Sequence, residues 1–216
     1  MTHTATTSAV QPSLAAIKHA IAPSPEIALD TKTVRPRAPF GTLLGTYEGI
    51  EVFSCKGRGN FQSHYHDGFF TGVRWQCVEL ARRYLLVRHG VTFESINFAY
   101  EIFNQTTRFA SVESRALVAV RRHTNGSHVR PVKGSLLIWD HGGINTYTGH
   151  VAVVVNVQDT YVDIIEQNMD DTVWPATENF SRRLAVTSNA QGHFTIEKYH
   201  RNETILGWVT LEKLHE

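Results

Sequence analysis

The 216-residue chain is poor in cysteine, with Cys55 and Cys77 as its two residues of this type. Two thiols are too few for the disulfide framework that holds many small secreted domains together. The pair is typical of a reducing compartment, and we therefore expect a cytoplasmic protein. If the two thiols lie close together, oxidation would join them and silence a nucleophile. The alternative is that Cys55 is a small buried apolar residue.

The chain also lacks an excess of charge and any long hydrophobic run. Its formal net charge is +1, which gives no support for a nucleic-acid partner or for a strongly membrane-seeking surface. No apolar stretch approaches the roughly 20 residues that a transmembrane helix needs. The N-terminus lacks the charged start and apolar core of a secretory signal. Hydrophobic residues make up 42% of the chain, which is enough for the core of one ordinary domain.

Aromatic residues are absent from residues 1–39, which hold five of the seven prolines. Such a segment cannot bury enough apolar surface to fold alone, so we predict a flexible N-terminal arm over residues 1–39. Aromatic residues begin at Phe40 and continue to Trp208, and we assign residues 40–216 to the folded domain. The chain has no Gly-rich phosphate loop, so we expect no use of ATP. We also expect no cofactor.

Cys77 opens a segment with helical periodicity. Gly90 follows the segment and is typical of a helix C-cap, so we predict a helix over residues 76–89. Unpaired N–H groups and the positive end of the helix dipole favour a thiolate at the first turn and would also bind an oxyanion. The apolar residues of this segment recur with the spacing i, i+3, i+4, i+7, i+8 and form a stripe along one helical face. Its members are Cys77, Leu80, Ala81, Tyr84 and Leu85. Three charged residues, Glu79, Arg82 and Arg83, fall outside this apolar stripe.

A nucleophilic thiol needs a base, and the base needs a group that orients it. Residues 148–168 predict two β-branched strands joined by a polar turn near residues 156–160. In a hairpin centred on Gln158, His150 directly faces Glu166, and both side chains point to one face. An imidazole and a carboxylate would then be in contact at the open end of the hairpin, although a slip of one residue would separate them.

Other residues compete for these roles. His141, in a Gly-rich loop, is the alternative base, although no strand holds it in place. Asp163 is the alternative orienting carboxylate, but strand alternation directs it to the opposite face. His64 and His66 resemble part of a metal site, yet two histidines without a nearby third ligand are weak support. We therefore expect no metal.

The rest of the chain indicates one more helix and several strands. Ile96, Ala99, Tyr100 and Phe103 favour a helix over residues 94–104. Residues 57–72 are interpreted as a polar, Gly-rich loop that leads into the Cys77 helix. Helices early in the chain and strands later indicate an α+β fold. Strands are predicted at residues 41–45, 50–54, 135–139, 194–198 and 205–209.

In combination, several motifs resemble the CHAP domain family of cysteine- and histidine-dependent amidohydrolases and peptidases. These motifs are WQCVELARR at residues 75–83, LLIWD at 136–140, TGHVA at 148–152, EQN at 166–168 and ILGW at 205–208. Within that family the chain resembles the amidase half of the glutathionylspermidine and trypanothione synthetase/amidases. The resemblance spans residues 40–209. It implies a papain-like α+β fold in which a nucleophile helix packs on an antiparallel sheet.

The resemblance also implies roles for individual residues. Cys77, His150 and Glu166 correspond to a Cys–His–Glu catalytic triad, in agreement with the hairpin pairing. Gln76 corresponds to a donor to the oxyanion. Arg82 corresponds to an arginine near the substrate, with a solvated charge or an intramolecular ion pair as the alternative. Asn168 lies two residues beyond Glu166 and either supports the site or ends the strand.

The activity that follows from these correspondences is amide hydrolysis through a thioester. The expected substrate is the amide between the glutathione glycine and a polyamine such as spermidine. Because the chain ends at Glu216, we expect no synthetase activity. One alternative is a peptidoglycan endopeptidase or amidase, since many CHAP domains cut wall peptides. Another is a catalytically idle binding domain, although such domains commonly lose one member of the triad.

Overall fold

A computed structural model describes Met1 and residues 35–57 and 61–212, and within them one α-helix and fourteen strands. The α-helix is α1, Cys77–His89, and a 3-10 helix covers Ala99–Phe103. A second short 3-10 helix covers Gly143–Asn145. The strands are β1 Leu43–Tyr47, β2 Ile50–Phe53, β3 Ser63–His66, β4 Phe69–Val73, β5 Val91–Phe93, β6 Phe109–Ser111, β7 Leu117–Val118, β8 Val120–Thr124, β9 Leu136–Trp139, β10 His150–Val157, β11 Tyr161–Ile165, β12 Arg182–Ser188, β13 Phe194–Ile196 and β14 Ile205–Leu211.

Seven strands form the main sheet, in the order β13-β12-β11-β10-β9-β14-β8, and all neighbouring pairs are antiparallel. Smaller sheets are formed by β1-β2, by β3-β4 and by β5-β6-β7. One helix with an antiparallel sheet agrees with the predicted α+β class. The papain-like relation between helix and sheet stays a prediction.

Alternation along the central strands divides the core in two. On β9, Leu136 and Ile138 belong to the cluster that contains the apolar stripe of α1, whereas Leu137 and Trp139 belong to the other cluster. The period of two is that of a pleated strand with both faces buried. Because every buried member of the second cluster comes from a strand of the main sheet, the sheet curls over that cluster.

The predicted Cys77 helix is confirmed. It begins after Gln76, whose backbone is extended, and is capped after His89 by Gly90, whose φ of 62° is left-handed. Glycine adopts that conformation without the steric cost of a Cβ, and the N–H of Gly90 donates to the carbonyls near the helix end. All five residues of the apolar stripe are buried, and α1 packs on β4, β5 and β10.

Two predictions about local structure are wrong. The helix over residues 94–104 is reduced to the 3-10 turn Ala99–Phe103, with Ala99 and Ile102 buried. Residues 57–72, interpreted as a loop, contain most of the hairpin β3-β4. In both segments, packing against neighbouring elements outweighs the local pattern.

The predicted arm, residues 1–39, lies outside the described residues except for Met1 and residues 35–39. Arg37 forms an ion pair of 2.5 Å with the carboxylate of Asp171. The N–H of Ala38 donates to the carbonyl of Asp171, and its carbonyl accepts from the hydroxyl of Ser54, both at 2.7 Å. The last residues of the segment therefore contact the domain, while the boundary at residue 40 stays a prediction. Nowhere in the described part of the chain is there a helix long and apolar enough to cross a membrane.

Candidate active site

Cys77 is the first residue of α1, and its side chain is almost completely buried. Burial by itself raises the pKa of the thiol. The charge of His150, a hydrogen bond with its side chain, and the backbone N–H groups of Val151 and Val78 outweigh that effect, so the pKa is lowered. The N–H of Val78 belongs to the first turn of the helix, where amide groups have no helical partner. A nucleophilic thiolate is therefore stabilised at this position.

His150 is held at the start of β10 by close packing of the residue before it. Gly149 has a φ of +63°, and a Cβ at this position would lie 2.6 Å from the carbonyl oxygen of Trp139. Only glycine fits there without strain. His150 is 3% exposed, and its ring lies 5.3 Å from the ring of Trp139. The imidazole is thus fixed in position by β9 and β10.

His150 and Glu166 are in contact, with 2.9 Å between Nε2 and Oε2. The predicted register is wrong, because Val153 faces Ile165 and not Asp163. The turn lies at residues 159–160, and a bulge follows Val154. This shift of two residues keeps both side chains on one face, because the side-chain period of a strand is two. They therefore meet diagonally and not directly opposite each other.

The pKa values of the three side chains depend on one another. Burial lowers the pKa of His150, but its charge and hydrogen-bond interactions with Cys77 and Glu166 raise it to about 9. Burial raises the pKa of Glu166, whereas Arg182 and His150 bring it down to about 2. Because Nε2 is used by Glu166, Nδ1 is the ring nitrogen left for the thiol. The arrangement favours a thiolate–imidazolium pair beside a carboxylate.

Gln76 and Asn168 are brought together at the edge of this group. The side-chain amide of Asn168 donates to Oε1 of Gln76 at 2.6 Å. Asn168 lies beyond the end of β11, with a φ of +60°, so strand alternation does not extend to it. The amide of Gln76 also contacts the sulfur of Cys55 at 3.4 Å. The roles of Gln76 and Asn168 in holding an oxyanion stay predictions.

Cys55 differs from Cys77 in its electrostatic surroundings. Burial raises the pKa of the Cys55 thiol, and the charges of Asp171 and Cys77 raise it further. Both thiols are free, and their oxidative joining stays a hypothesis. Of the two, Cys77 is the thiol whose surroundings favour the nucleophilic form.

Arg82 lies on another side of the helix. Its guanidinium donates to the carbonyl of Glu94 at 2.6 Å and covers the ring of Phe93 at 4.6 Å. The residue is 5% exposed, and burial lowers its pKa to about 10. The interactions found for Arg82 are thus with the residues that flank α1. A contact between Arg82 and substrate stays a prediction.

Sequence reasoning missed a buried polar network beneath the helix start. Glu79 is fully buried and accepts hydrogen bonds from Arg83, Thr71 and Gln167. Gln167 also donates to the carbonyl of Gln76 and accepts from the N–H of Phe53. The spacing i, i+4 between Glu79 and Arg83 was a signal for their ion pair. Nothing local indicates the partners from other elements.

Arg182 is a second missed residue. Its side chain, 2% exposed, lies against the carboxylate of Glu166, with 2.9 Å from Nη2 to Oε2 and 2.9 Å from Nε to Oε1. No spacing relates Arg182 to Glu166 in the sequence, because a loop of sixteen residues separates β11 from β12.

The competing residues lie elsewhere. His141 pairs with the carboxylate of the adjacent Asp140, and its side chain is 61% exposed. Asp163 points away from His150, as predicted, and is bound by Arg183 and Asn156. His64 contacts the buried carboxylate of Glu79. Among the residues described, no group of three or more His, Cys, Asp or Glu side chains is placed to hold a metal ion.

The lowered thiol pKa predicts rapid alkylation of Cys77 below the pH at which an ordinary thiol ionises. The rate with iodoacetamide should rise through the lowered pKa and reach a plateau while His150 remains protonated, up to about pH 9. The measurement is the alkylation rate against pH in a Cys55→Ala background, with the modified residue identified by peptide mass. A rate that rises only near the ordinary thiol pKa would contradict the ion pair.

Comparison with known proteins matches the chain to a domain family and to several larger proteins. The sequence model of the CHAP domain matches residues 68–168. The bifunctional glutathionylspermidine synthetase/amidase of Escherichia coli (strain K12) is 35% identical over 189 residues, which cover 82% of this chain and 30% of that protein. Trypanothione synthetase of Crithidia fasciculata is 35% identical over 182 residues, covering 81% and 27%. The chain thus spans less than a third of the length of these relatives.

Proposed function

The chain belongs to the CHAP domain family, and on this footing we propose that it is a cysteine amidohydrolase that uses Cys77, His150 and Glu166. The resemblance inferred from the sequence motifs is confirmed by the match, whose span contains all three residues. The observation that carries the proposal is a buried thiol at the start of a helix, whose pKa is lowered by His150, together with the 2.9 Å contact between His150 and Glu166. From membership of this family we also propose a papain-like relation between α1 and the main sheet.

In the acylation step, the thiolate of Cys77 attacks the carbonyl carbon of the amide and forms a carbon–sulfur bond. The negative charge that develops on the oxygen would be met by N–H groups at the helix start and by the amide of Gln76. The carbon–nitrogen bond then breaks, and the proton on Nδ1 of His150 passes to the leaving amine. The products of this step are a thioester on Cys77 and the free amine.

In the deacylation step, water attacks the thioester carbon while His150 accepts one of its protons. The carbon–sulfur bond breaks, the carboxylic acid leaves, and the thiolate–imidazolium pair is restored. Throughout the cycle Glu166 would keep Nε2 protonated and hold the ring in one orientation, as orienting carboxylates do in other triads. No step requires a metal or an organic cofactor.

We propose a glutathione–polyamine amide, of the glutathionylspermidine type, as the substrate. The name of the Escherichia coli relative joins a synthetase and an amidase. The proposal concerns only amide hydrolysis, because a thiol, an imidazole and a carboxylate are groups of that chemistry. Similarity over 82% of this chain supports the substrate class. Two free thiols fit a cytoplasmic location, where glutathione keeps cysteines reduced.

The test is hydrolysis of glutathionylspermidine and of purified peptidoglycan by the same preparation. We expect release of spermidine and glutathione in equal amounts, with no release of wall peptides. Amine release is followed by chromatography, and the matched control is the Cys77→Ala variant, which keeps the fold but lacks the nucleophile.

Other outcomes would identify different functions. Cleavage of peptidoglycan alone would contradict the proposed substrate and place the chain among the wall hydrolases. Hydrolysis of neither substrate, together with rapid alkylation of Cys77, would contradict the substrate but not the nucleophile. Hydrolysis of neither substrate with an ordinary thiol at Cys77 would favour a binding domain without activity.

A further inference from the structure

Arg182 makes a two-point contact with the carboxylate of Glu166. Its Nη2 donates to Oε2 at 2.9 Å, and its Nε lies 2.9 Å from Oε1. Only the Nη2 contact is a hydrogen bond, because Nε has no hydrogen-bond partner and its approach to Oε1 is an ion-pair contact. A guanidinium is planar and rigid, so its closeness to both oxygens still restricts the rotation of the carboxylate plane. A lysine ammonium would offer a single point of charge and would not restrict that rotation in the same way.

The oxygen that Arg182 binds is also the oxygen that faces the histidine. Oε2 of Glu166 lies 2.9 Å from Nη2 of Arg182 and 2.9 Å from Nε2 of His150. The position of this one atom therefore depends on both partners. Arg182 reaches the imidazole through Glu166, which makes it a partner of the orienting group.

Arg182 is held in place by the elements around it. Its guanidinium lies 4.9 Å from the ring of Tyr199 and 5.7 Å from that of Trp139, and Trp139 also contacts His150. The chain beside it is tied to β11 and to the residue that follows it, because the N–H of Ser181 donates to the carbonyl of Ile164 at 2.8 Å and the N–H of Glu166 donates to the hydroxyl of Ser181 at 2.9 Å. The guanidinium thus has little freedom to leave the carboxylate.

We propose that Arg182 is the positioning residue of this site, holding the Glu166 carboxylate ionised and oriented toward Nε2 of His150, an inference that rests on the proposed function. Neither the family match, which ends at residue 168, nor the sequence motifs include Arg182.

The electrostatics of Glu166 support this role. Burial raises the pKa of the carboxylate, and the charge of Arg182 is the strongest influence that lowers it. A buried carboxylate without its cation binds a proton more readily and then no longer attracts the imidazolium. Loss of Arg182 should therefore raise the thiol pKa of Cys77, through Glu166 and His150.

The experiment measures the alkylation of Cys77 by iodoacetamide against pH in Arg182→Gln, in a Cys55→Ala background. We expect the rising limb to move to higher pH and the rate below neutral pH to fall about 10- to 100-fold, by analogy with removal of the partners that orient metal-binding histidines. The matched control is Arg183→Gln. Arg183 is the next residue of β12 and pairs with both oxygens of Asp163 on the opposite face, although its side chain is 48% exposed.

Two further variants make the result decisive. In a Glu166→Gln background, Arg182→Gln should add little to the shift, because two residues that act through one contact are not additive. Arg182→Lys keeps the charge but not the two-point contact, and its profile should lie between those of the native protein and Arg182→Gln. If circular dichroism shows that Arg182→Gln is unfolded, the lysine variant decides.

The outcomes separate this inference from the proposed function. The positioning role alone would be overturned if folded Arg182→Gln showed the pH profile of the native protein. If only Arg182→Lys folds, a native profile in that variant would have the same consequence. An equal shift in Arg183→Gln would also overturn it, since the effect would then be a general loss of charge. An ordinary thiol profile in the native protein would overturn the nucleophile and the positioning role together.

Discussion

Replacement of Cys77 by alanine is expected to abolish measurable amide hydrolysis. The expected loss in kcat is about 10⁴-fold or more, the scale seen when a nucleophile is removed from a triad. Alanine lacks the sulfur that forms the acyl bond, and water cannot be ionised in its place by a helix start alone. The measurement is spermidine release under substrate excess, together with thermal unfolding to establish that the variant is folded.

Cys55→Ala is the matched control for this prediction, because Cys55 is the second thiol of the chain. Its thiol contacts the amide of Gln76, and burial raises its pKa, so we expect Cys55→Ala to retain most of the turnover. If Cys77→Ala kept substantial activity, or if only Cys55→Ala lost it, the assignment of the nucleophile would be wrong. In the native protein, a trapped acyl group should be found on Cys77 by mass spectrometry.

His150→Gln is expected to produce a loss of similar size, about 10⁴-fold or more, because members of a triad act as a unit. Glutamine can still donate to Glu166, but it cannot carry a proton to the leaving amine. It also removes the charge that lowers the pKa of Cys77. The measurement combines kcat with the alkylation rate of Cys77, and both should fall together.

His141→Gln is the matched histidine control. The side chain of His141 is 61% exposed and pairs with Asp140, so its replacement should leave both rates near those of the native protein. A large loss in His141→Gln with little change in His150→Gln would exchange the roles of the two histidines. Slow turnover with unchanged alkylation in His150→Gln would mean that His150 serves the leaving amine but does not ionise the thiol.

The three groups of the site are buried, and each is held by a different element of secondary structure. The thiol lies at a helix start, the imidazole at a strand start and the carboxylate just beyond a strand end. Each backbone segment is fixed by secondary structure, which limits the freedom of the side chains. Burial strengthens the electrostatic attraction between the charged side chains. Burial of any one of these charges without its partner would be energetically costly.

The sequence by itself determined the features that depend on neighbours along the chain. The apolar stripe of α1, the glycine at its end and the β-branched residues of β10 and β11 are local patterns that each indicate one type of secondary structure. They predicted a thiol at a helix start and placed His150 and Glu166 on one face of a hairpin. That last prediction survived a wrong register, because the error was an even number of residues and side chains alternate with a period of two.

Only the tertiary structure decided which charged groups are buried and what binds them. Glu79 and Arg83 lie off the apolar stripe, yet they are buried because Gln167 and Thr71 arrive from other elements. The hairpin β3-β4 forms where the sequence indicated a loop, and Arg182 reaches Glu166 from the next strand. Burial of a charge is favourable only when a partner from elsewhere in the chain completes it. Such pairings depend on sheet order and register, which local periodicity does not specify.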